Sequence, residues 1–193
     1  MVDVQPAYCT MFDDNEDPKF SKIIKFVNNQ VGPILMYVNA EDQGLSDDTI
    51  DSIKEFWEDR GFDPNKWTNI KIVDKGYGYF RSWMDYGISD SNIIKTIRLM
   101  YQSKVSDSRE LFGGENSDIY KQGFRKLLGN NFDEYIITDQ LFINWTNVAQ
   151  LKQFSGAYIM GGGRNECLRE VELLMNAFNI KYKRINDLII LIH

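Results

Sequence analysis

Two segments of this 193-residue chain hold residue types that can do covalent chemistry. In the first, the apolar run Ala157-Tyr158-Ile159-Met160 leads into Gly161-Gly162-Gly163, then Arg164-Asn165-Glu166, then Cys167 at the head of an apolar helical stripe. Glycines allow a tight turn and let a ligand approach the backbone. A helix N-terminus offers unpaired N–H groups and the positive end of the dipole. A thiol placed there has a lowered pKa and is more often thiolate, the nucleophilic form. The same N–H groups can hold a developing oxyanion. The plainer reading makes Cys167 a small packing residue, since free cysteine is among the most buried residue types. A phosphate cradle is disfavoured, because neither the dinucleotide fingerprint nor a P-loop is present.

The second segment is Val2-Asp3-Val4-Gln5-Pro6-Ala7-Tyr8. An acid at the carboxyl end of a parallel strand stands where ligand crevices open in α/β sheets. A carboxylate there can take the proton of a nearby thiol. Alone, it reads more simply as a solvated acid near a loose terminus.

Together the two segments resemble the isochorismatase-like cysteine hydrolases, a family that includes the nicotinamidases. Asp3, Gln5 and Tyr8 match an Asp-x-Gln-x-x-Phe signature, with Tyr in place of Phe. Gly161 and Cys167-Leu168 match a nucleophile segment with Gly six residues before a Cys-Val pair. The resemblance implies Asp3 as base, Cys167 as nucleophile and an oxyanion site in the backbone around Gly163 and Arg164, next to a cis peptide. It also implies a catalytic lysine near the strand before the nucleophile strand. That strand is expected at Tyr135-Ile136-Ile137-Thr138-Asp139, which has no lysine, and Lys126 and Lys152 fall out of register on either side. Arg164 and Arg109 are the candidate replacement cations, and Gln5 and Arg109 candidate ligand contacts. Asp42 falls near the family's metal position, but Gly44 stands where a His is needed and His193 is the sole histidine. No metal and no cofactor is therefore expected.

The elements that must carry these residues read as alternating strands and helices, the pattern of a mostly parallel sheet covered on both faces. Met1–Gln5 is expected as a first strand. Phe20, Ile23, Ile24, Val27 and Val31 mark a helix stopped by Gly32-Pro33. Ile34–Val38 is a strand buried on both faces. Ser46 is expected as an N-cap with Asp47 and Asp48 in the first turn, ahead of Ile50, Ile53 and Trp57, with Gly61 as the stop. Further expected elements are a strand at Ile70–Val73, helices around Ile93–Tyr101, Tyr120–Leu128 and Leu168–Phe178, and strands within 181–192, including Leu188–Ile192. Glu166, Glu170 and Glu172 read as a solvated helix face. Trp67, Tyr77, Tyr79, Phe80, Trp83 and Tyr86 could form a stacking platform, but a satellite core is the simpler account. Asp107-Ser108-Arg109-Glu110 reads as a capped turn with a surface ion pair.

The fold class expected is a three-layer α/β/α, Rossmann-like domain over 1–193, with a divergent insertion at about 62–130. The net charge of -6 and pI near 4.9 argue against nucleic-acid and anionic-membrane partners. Two cysteines, Cys9 and Cys167, do not make a disulfide framework. No leader is apparent, and no apolar run reaches the roughly 18 residues of a membrane span. The expected setting is the cytoplasm, the host's for a viral chain. The expected function is hydrolysis of a C–N or C–O bond in a small metabolite, with a homo-oligomer left open. The alternative is a degenerate relative that only binds a ligand or protein.

Overall fold

The apolar run Ile34–Val38 forms β1, all but its first residue buried, and Ile70–Asp74 forms β2, parallel to it with Ile34 opposite Ile70 and Val38 opposite Asp74. In this computed structural model the described residues are 1–9, 19–39, 48–75, 81–85, 87–106, 122, 125–126 and 143–190. β3 is Ala157–Ile159 and β4 is Tyr182–Arg184, again parallel. The expected first strand is reduced to a bridge at Val2, which pairs in parallel with Tyr37 on one side and Gly161 on the other. The pairs β1–β2 and β3–β4 are two-stranded sheets, and Val2 bridges toward each of them, to Tyr37 in β1 and to Gly161 just past β3. The strand pairing beyond β3 continues through a bridge between Gly163 and Ile190. The chain order reverses at Val2, which makes the carboxyl side of this point the place where open α/β sheets bind ligands.

Contacts divide the chain into two units: residues 1–75, 154–169 and 182–193 in one, and 76–153 and 170–181 in the other. The expected insertion at about 62–130 is itself divided, because 62–75 belong with the strands.

In the first unit, α1 (Lys19–Asn28) buries Phe20, Ile23, Ile24 and Val27. It ends ahead of Gly32-Pro33, and Val31 is 89% exposed rather than part of the stripe. Its α2 (Ile50–Glu58) is capped by Thr49, whose hydroxyl and the Ser52 side chain satisfy each other's backbone N–H. Thr49 takes the role expected of Ser46. Asp48 is not in the helix's first turn but buried, bonded to the segment after Asp3. Phe20, Trp57 and Phe62 meet edge to face at 5.3 and 5.4 Å and share one core with Met36, Val38, Met160 and Ile190. Trp67 packs on Phe62 at 4.5 Å, so it belongs to this core.

The elements among the described residues of the second unit are helices. α3 (Arg81–Asp85) contains Trp83, which is fully buried. α4 (Asp90–Gln102) buries Ile93, Ile97 and Met100. α5 (Trp145–Leu151) buries Val148 and Leu151. α6 (Cys167–Ala177) begins in the first unit and continues in the second. Val171, Leu173, Leu174 and Met175 are all buried, and so are Glu170 and Glu172, the latter 0% exposed. Glu170 and Glu172 are therefore not on the solvated face expected of them, and Glu166 lies before the helix, half-buried. Among the described residues no helix is long and apolar enough to cross a membrane. The expected strand at 135–137 and the stripe Tyr120, Phe124, Leu127 and Leu128 lie outside the described residues, as do Tyr77, Tyr79, Phe80 and Tyr86.

Candidate active site

Asp3 sits at the carboxyl side of the central bridge. Val2 N–H donates to the Met160 carbonyl at 3.0 Å, Asp3 N–H to Tyr37 at 2.8 Å, and Tyr37 N–H to Met1 at 2.8 Å. These bonds hold Asp3 in the left-handed region at φ 49°. A non-glycine residue there stores strain, and such residues cluster at functional sites. The Asp3 carboxylate is buried, 1% exposed.

Lys75 follows β2 directly, and its ammonium reaches across β1 to form an ion pair and hydrogen bond with Asp3 Oδ2. Its backbone N–H donates to the Val38 carbonyl at 2.8 Å, which anchors the turn of chain from which the side chain departs. Lys75 is 3% exposed. Buried lysine and aspartate are tolerated when paired, since an isolated buried charge is very costly. Asp3 Oδ1 is buried and accepts no hydrogen bond among the described residues. Among the described residues the cation that pairs with Asp3 is Lys75, a residue the sequence reading did not name. Sequence reading missed it because it looked for lysine beside the strand preceding β3. The overlooked signal was a lysine closing the apolar run Ile70–Val73 at a strand's carboxyl end.

Cys167 opens α6 after the glycine turn, is in no disulfide and is of intermediate exposure. Gly161 has φ 85°, and a Cβ there would stand 2.5 Å from both the Val2 carbonyl oxygen and Val4 Cγ2. Only glycine admits this close approach of strand β3's end to the central bridge. A Cβ at Gly162, φ 51°, would lie 3.4 Å from Cys167 Cβ and 3.5 Å from Val2 Cγ1. The turn therefore carries the cysteine beside the bridge that positions Asp3.

The oxyanion site differs from its expected form. Arg164 N–H donates to the Ile190 carbonyl at 2.9 Å and is not open to a ligand, while its guanidinium donates to Asn186 Oδ1 at 3.2 Å. The parallel bridge between Val2 and Gly161 turns the Gly162 N–H toward the Val2 carbonyl, so it is not open to a ligand either. No peptide bond among the described residues is cis. Gln5 is also placed differently from a ligand contact. Its amide donates to the Asn39 carbonyl at 2.9 Å and to Asp48 Oδ2 at 2.8 Å, and accepts from Asn39 N–H at 2.9 Å. It ties the segment after Asp3 to the end of β1. Arg109, Asp42, Gly44 and His193 lie outside the described residues.

Tyr8 links these pieces. Asn39 Nδ2 donates to its hydroxyl oxygen at 2.8 Å. Its phenol is held above the ordinary value of 10, first by burial and also by the negative charges of Asp3 and Cys167, with Asn39 and Lys75 opposing. A carboxylate, an ammonium and a thiol at the head of a helix can transfer a proton, balance charge and attack an electrophilic carbon. Compared with protein-family models, with curated proteins and with solved structures, the chain matches none.

Proposed function

We propose that this chain is a cysteine hydrolase of the isochorismatase-like kind, a three-layer α/β/α fold acting on a C–N or C–O bond of a small cytosolic metabolite. The observation that carries the reading is the buried Asp3–Lys75 pair at the sheet's switch point, beside the turn that bears Cys167.

In this reading Cys167 Sγ attacks the carbonyl carbon while its proton passes to Asp3 Oδ1, the oxygen that Lys75 does not engage. Lys75 stays protonated and offsets the charge of Asp3 and of the adduct. The oxyanion is held by N–H groups at the head of α6, where the helix dipole is positive. Collapse breaks the C–N or C–O bond, and the leaving group takes the proton from Asp3. Water, giving its proton to Asp3, then attacks the thioester, releasing the acid and restoring the thiol. Arginine in place of Lys75 would keep the charge but not the compact ammonium geometry.

The test is a screen of simple amides and esters with the wild-type chain and Cys167→Ala. The expected result is turnover that Cys167→Ala abolishes, with iodoacetamide labelling Cys167 much faster than Cys9 at neutral pH. If the wild-type chain turns over nothing while a small molecule raises its melting temperature, the chain is a binding module that retains the pocket.

A further inference from the structure

Asp48 is a buried carboxylate with no part in the proton transfers of the proposed reaction. It stands immediately before Thr49, the N-cap of α2, so its backbone is fixed by the start of that helix. Its Oδ2 accepts from Gln5 Nε2 at 2.8 Å and from Ala7 N–H at 2.9 Å, both just past Asp3. Trp57, from the body of α2, donates Nε1–H to the Val4 carbonyl at 3.0 Å. Gln5 is 0% exposed, and its amide accepts from Asn39 N–H and donates to the Asn39 carbonyl, each at 2.9 Å. That pairing imitates a strand ladder with a side chain and uses one of the two Nε2 hydrogens. Asp48 takes the other and so fixes which way round the amide lies.

Asp3 lies at φ 49°, a left-handed backbone that a non-glycine residue keeps only where its surroundings over-determine it. Before Asp3, the bridge at Val2 and the bond from Asp3 N–H to Tyr37 supply that constraint. After Asp3, it comes from Trp57, Asn39 and Asp48. Of these three Asp48 alone is charged, and bonds to a charged acceptor are the stronger ones. Without it Gln5 Nε2 and Ala7 N–H lose an acceptor, and the chain past Asp3 can relax toward an ordinary backbone.

We infer that Asp48 is a positioning residue for the proposed reaction: through Gln5 and Ala7 it holds Asp3 in the backbone conformation that aims its carboxylate for proton transfer. The inference deepens the cysteine-hydrolase reading and rests on it. A displacement of about 1 Å at a reacting group costs on the order of 100-fold in rate, so loosening one of several restraints should cost about tenfold.

The test uses the full chain and p-nitrophenyl acetate. Thiolate attack transfers the acetyl group to sulfur and expels p-nitrophenolate. Water then attacks the thioester carbon, giving acetic acid and restoring the thiol, and Asp3 takes the water's proton in that step. With excess reagent removed, loss of acetyl from Cys167 and from Cys9 is followed by peptide mass mapping. Acetyl-Cys167 should be hydrolysed much faster than acetyl-Cys9. Asp3→Asn should slow its hydrolysis by about 100-fold or more, the worth of a general base. Asp48→Asn should slow it about tenfold. Added to Asp3→Asn, it should slow it no further, because a residue acting through Asp3 then has nothing to act on. Asp48→Glu keeps the charge one methylene further out and also serves where Asp48→Asn does not fold. It should lose less of the rate, and again only when Asp3 is present. Thr49→Ala weakens the cap of α2 and spares the clamp, so it should lower the urea midpoint and leave the rate unchanged. An unchanged rate in the Asp48 variants overturns the inference. So does equal slowing with and without Asp3, or the same slowing by Thr49→Ala. If acetyl-Cys167 in the wild-type chain is hydrolysed no faster than acetyl-Cys9, or if Asp3→Asn changes nothing, the failure lies with the cysteine-hydrolase reading, and the inference falls with it.

Discussion

The two units bury polar groups in different ways. In the first, side chains far apart in sequence converge on the ends of strands: Lys75 on Asp3, Gln5 on Asn39 and Asp48, Asn39 on Tyr8. In the second, several polar contacts serve the framework. Arg98 Nε donates to the Ala177 carbonyl at 2.7 Å, satisfying an orphan group at the end of α6. Trp145 Nε1 donates to the Val105 carbonyl at 2.8 Å, and Thr96 bonds back to Asn92 within α4. Tyr101, Trp145 and Phe178 meet edge to face, and the Lys152 ammonium caps the rings of Tyr101 and Phe178 at 4.8 and 4.5 Å. A helix needs its ends satisfied to be stable. A buried carboxylate–ammonium pair is not needed for stability, because apolar residues of similar volume often serve as well or better. Charge buried at a strand's end is therefore what the proposed reaction would draw on, whereas the buried Glu170 and Glu172 of the second unit lie within a helix.

The sharpest way to break this contrast is Lys75→Met, which leaves Asp3 buried without its partner. The expected loss is about 3–5 kcal/mol of stability in urea unfolding, with activity lost as well. Asp3→Asn added to Lys75→Met should recover much of the stability and none of the activity. If the double variant regains turnover, the pair is scaffold and the contrast fails.

A smaller effect is expected in the second unit. Lys152→Met removes the cation above the two rings and should cost about 0.5–1 kcal/mol, with catalytic rates unchanged. A drop in turnover at unchanged melting temperature would extend the reactive site into that unit.

The smallest effect concerns Tyr8, whose native pKa lies above the ordinary phenol value. As pH climbs past about 10, the unfolded chain loses this proton first. The native state then binds more protons than the unfolded one, so this contribution to stability falls with rising pH between the unfolded and native pKa values. Tyr8→Phe lacks it. The urea midpoints of wild type and variant should therefore shift relative to one another across that window, with wild type losing ground. Parallel midpoints across the window would show that Tyr8 titrates as an ordinary surface phenol.

Much of the framework was legible in local pattern. The apolar runs at Ile34–Val38, Ile70–Val73 and Ala157–Ile159 form strands, and the stripes through Ile53 and Trp57, Ile93 and Ile97, and Leu168 and Val171 form helices. Periodicity reports which face is buried, and these segments are long or apolar enough for that signal to dominate. The places of Asp3 and Cys167 were legible for the same kind of reason: one follows the Val2 bridge and the other opens α6. Tertiary structure decided the rest. The partner of Asp3 lies 72 residues away, and Lys75 reaches it because parallel pairing sets β2 beside β1 and β1 beside Val2. Nothing in the composition around Lys75 states that register. Asp48 could be read from sequence as a helix-capping acid, since Asp in a first turn is favourable. The structure instead buries it against Gln5 and Ala7, where two donors compensate its desolvation. Glu170 and Glu172 were misread for a related reason: charge normally marks the wet face of a helix, but residues 170–175 of α6 are all buried. Local pattern determines what a segment can form. Which charges end up together depends on strand order and on what covers each helix, and those are properties of contacts between residues distant in the chain.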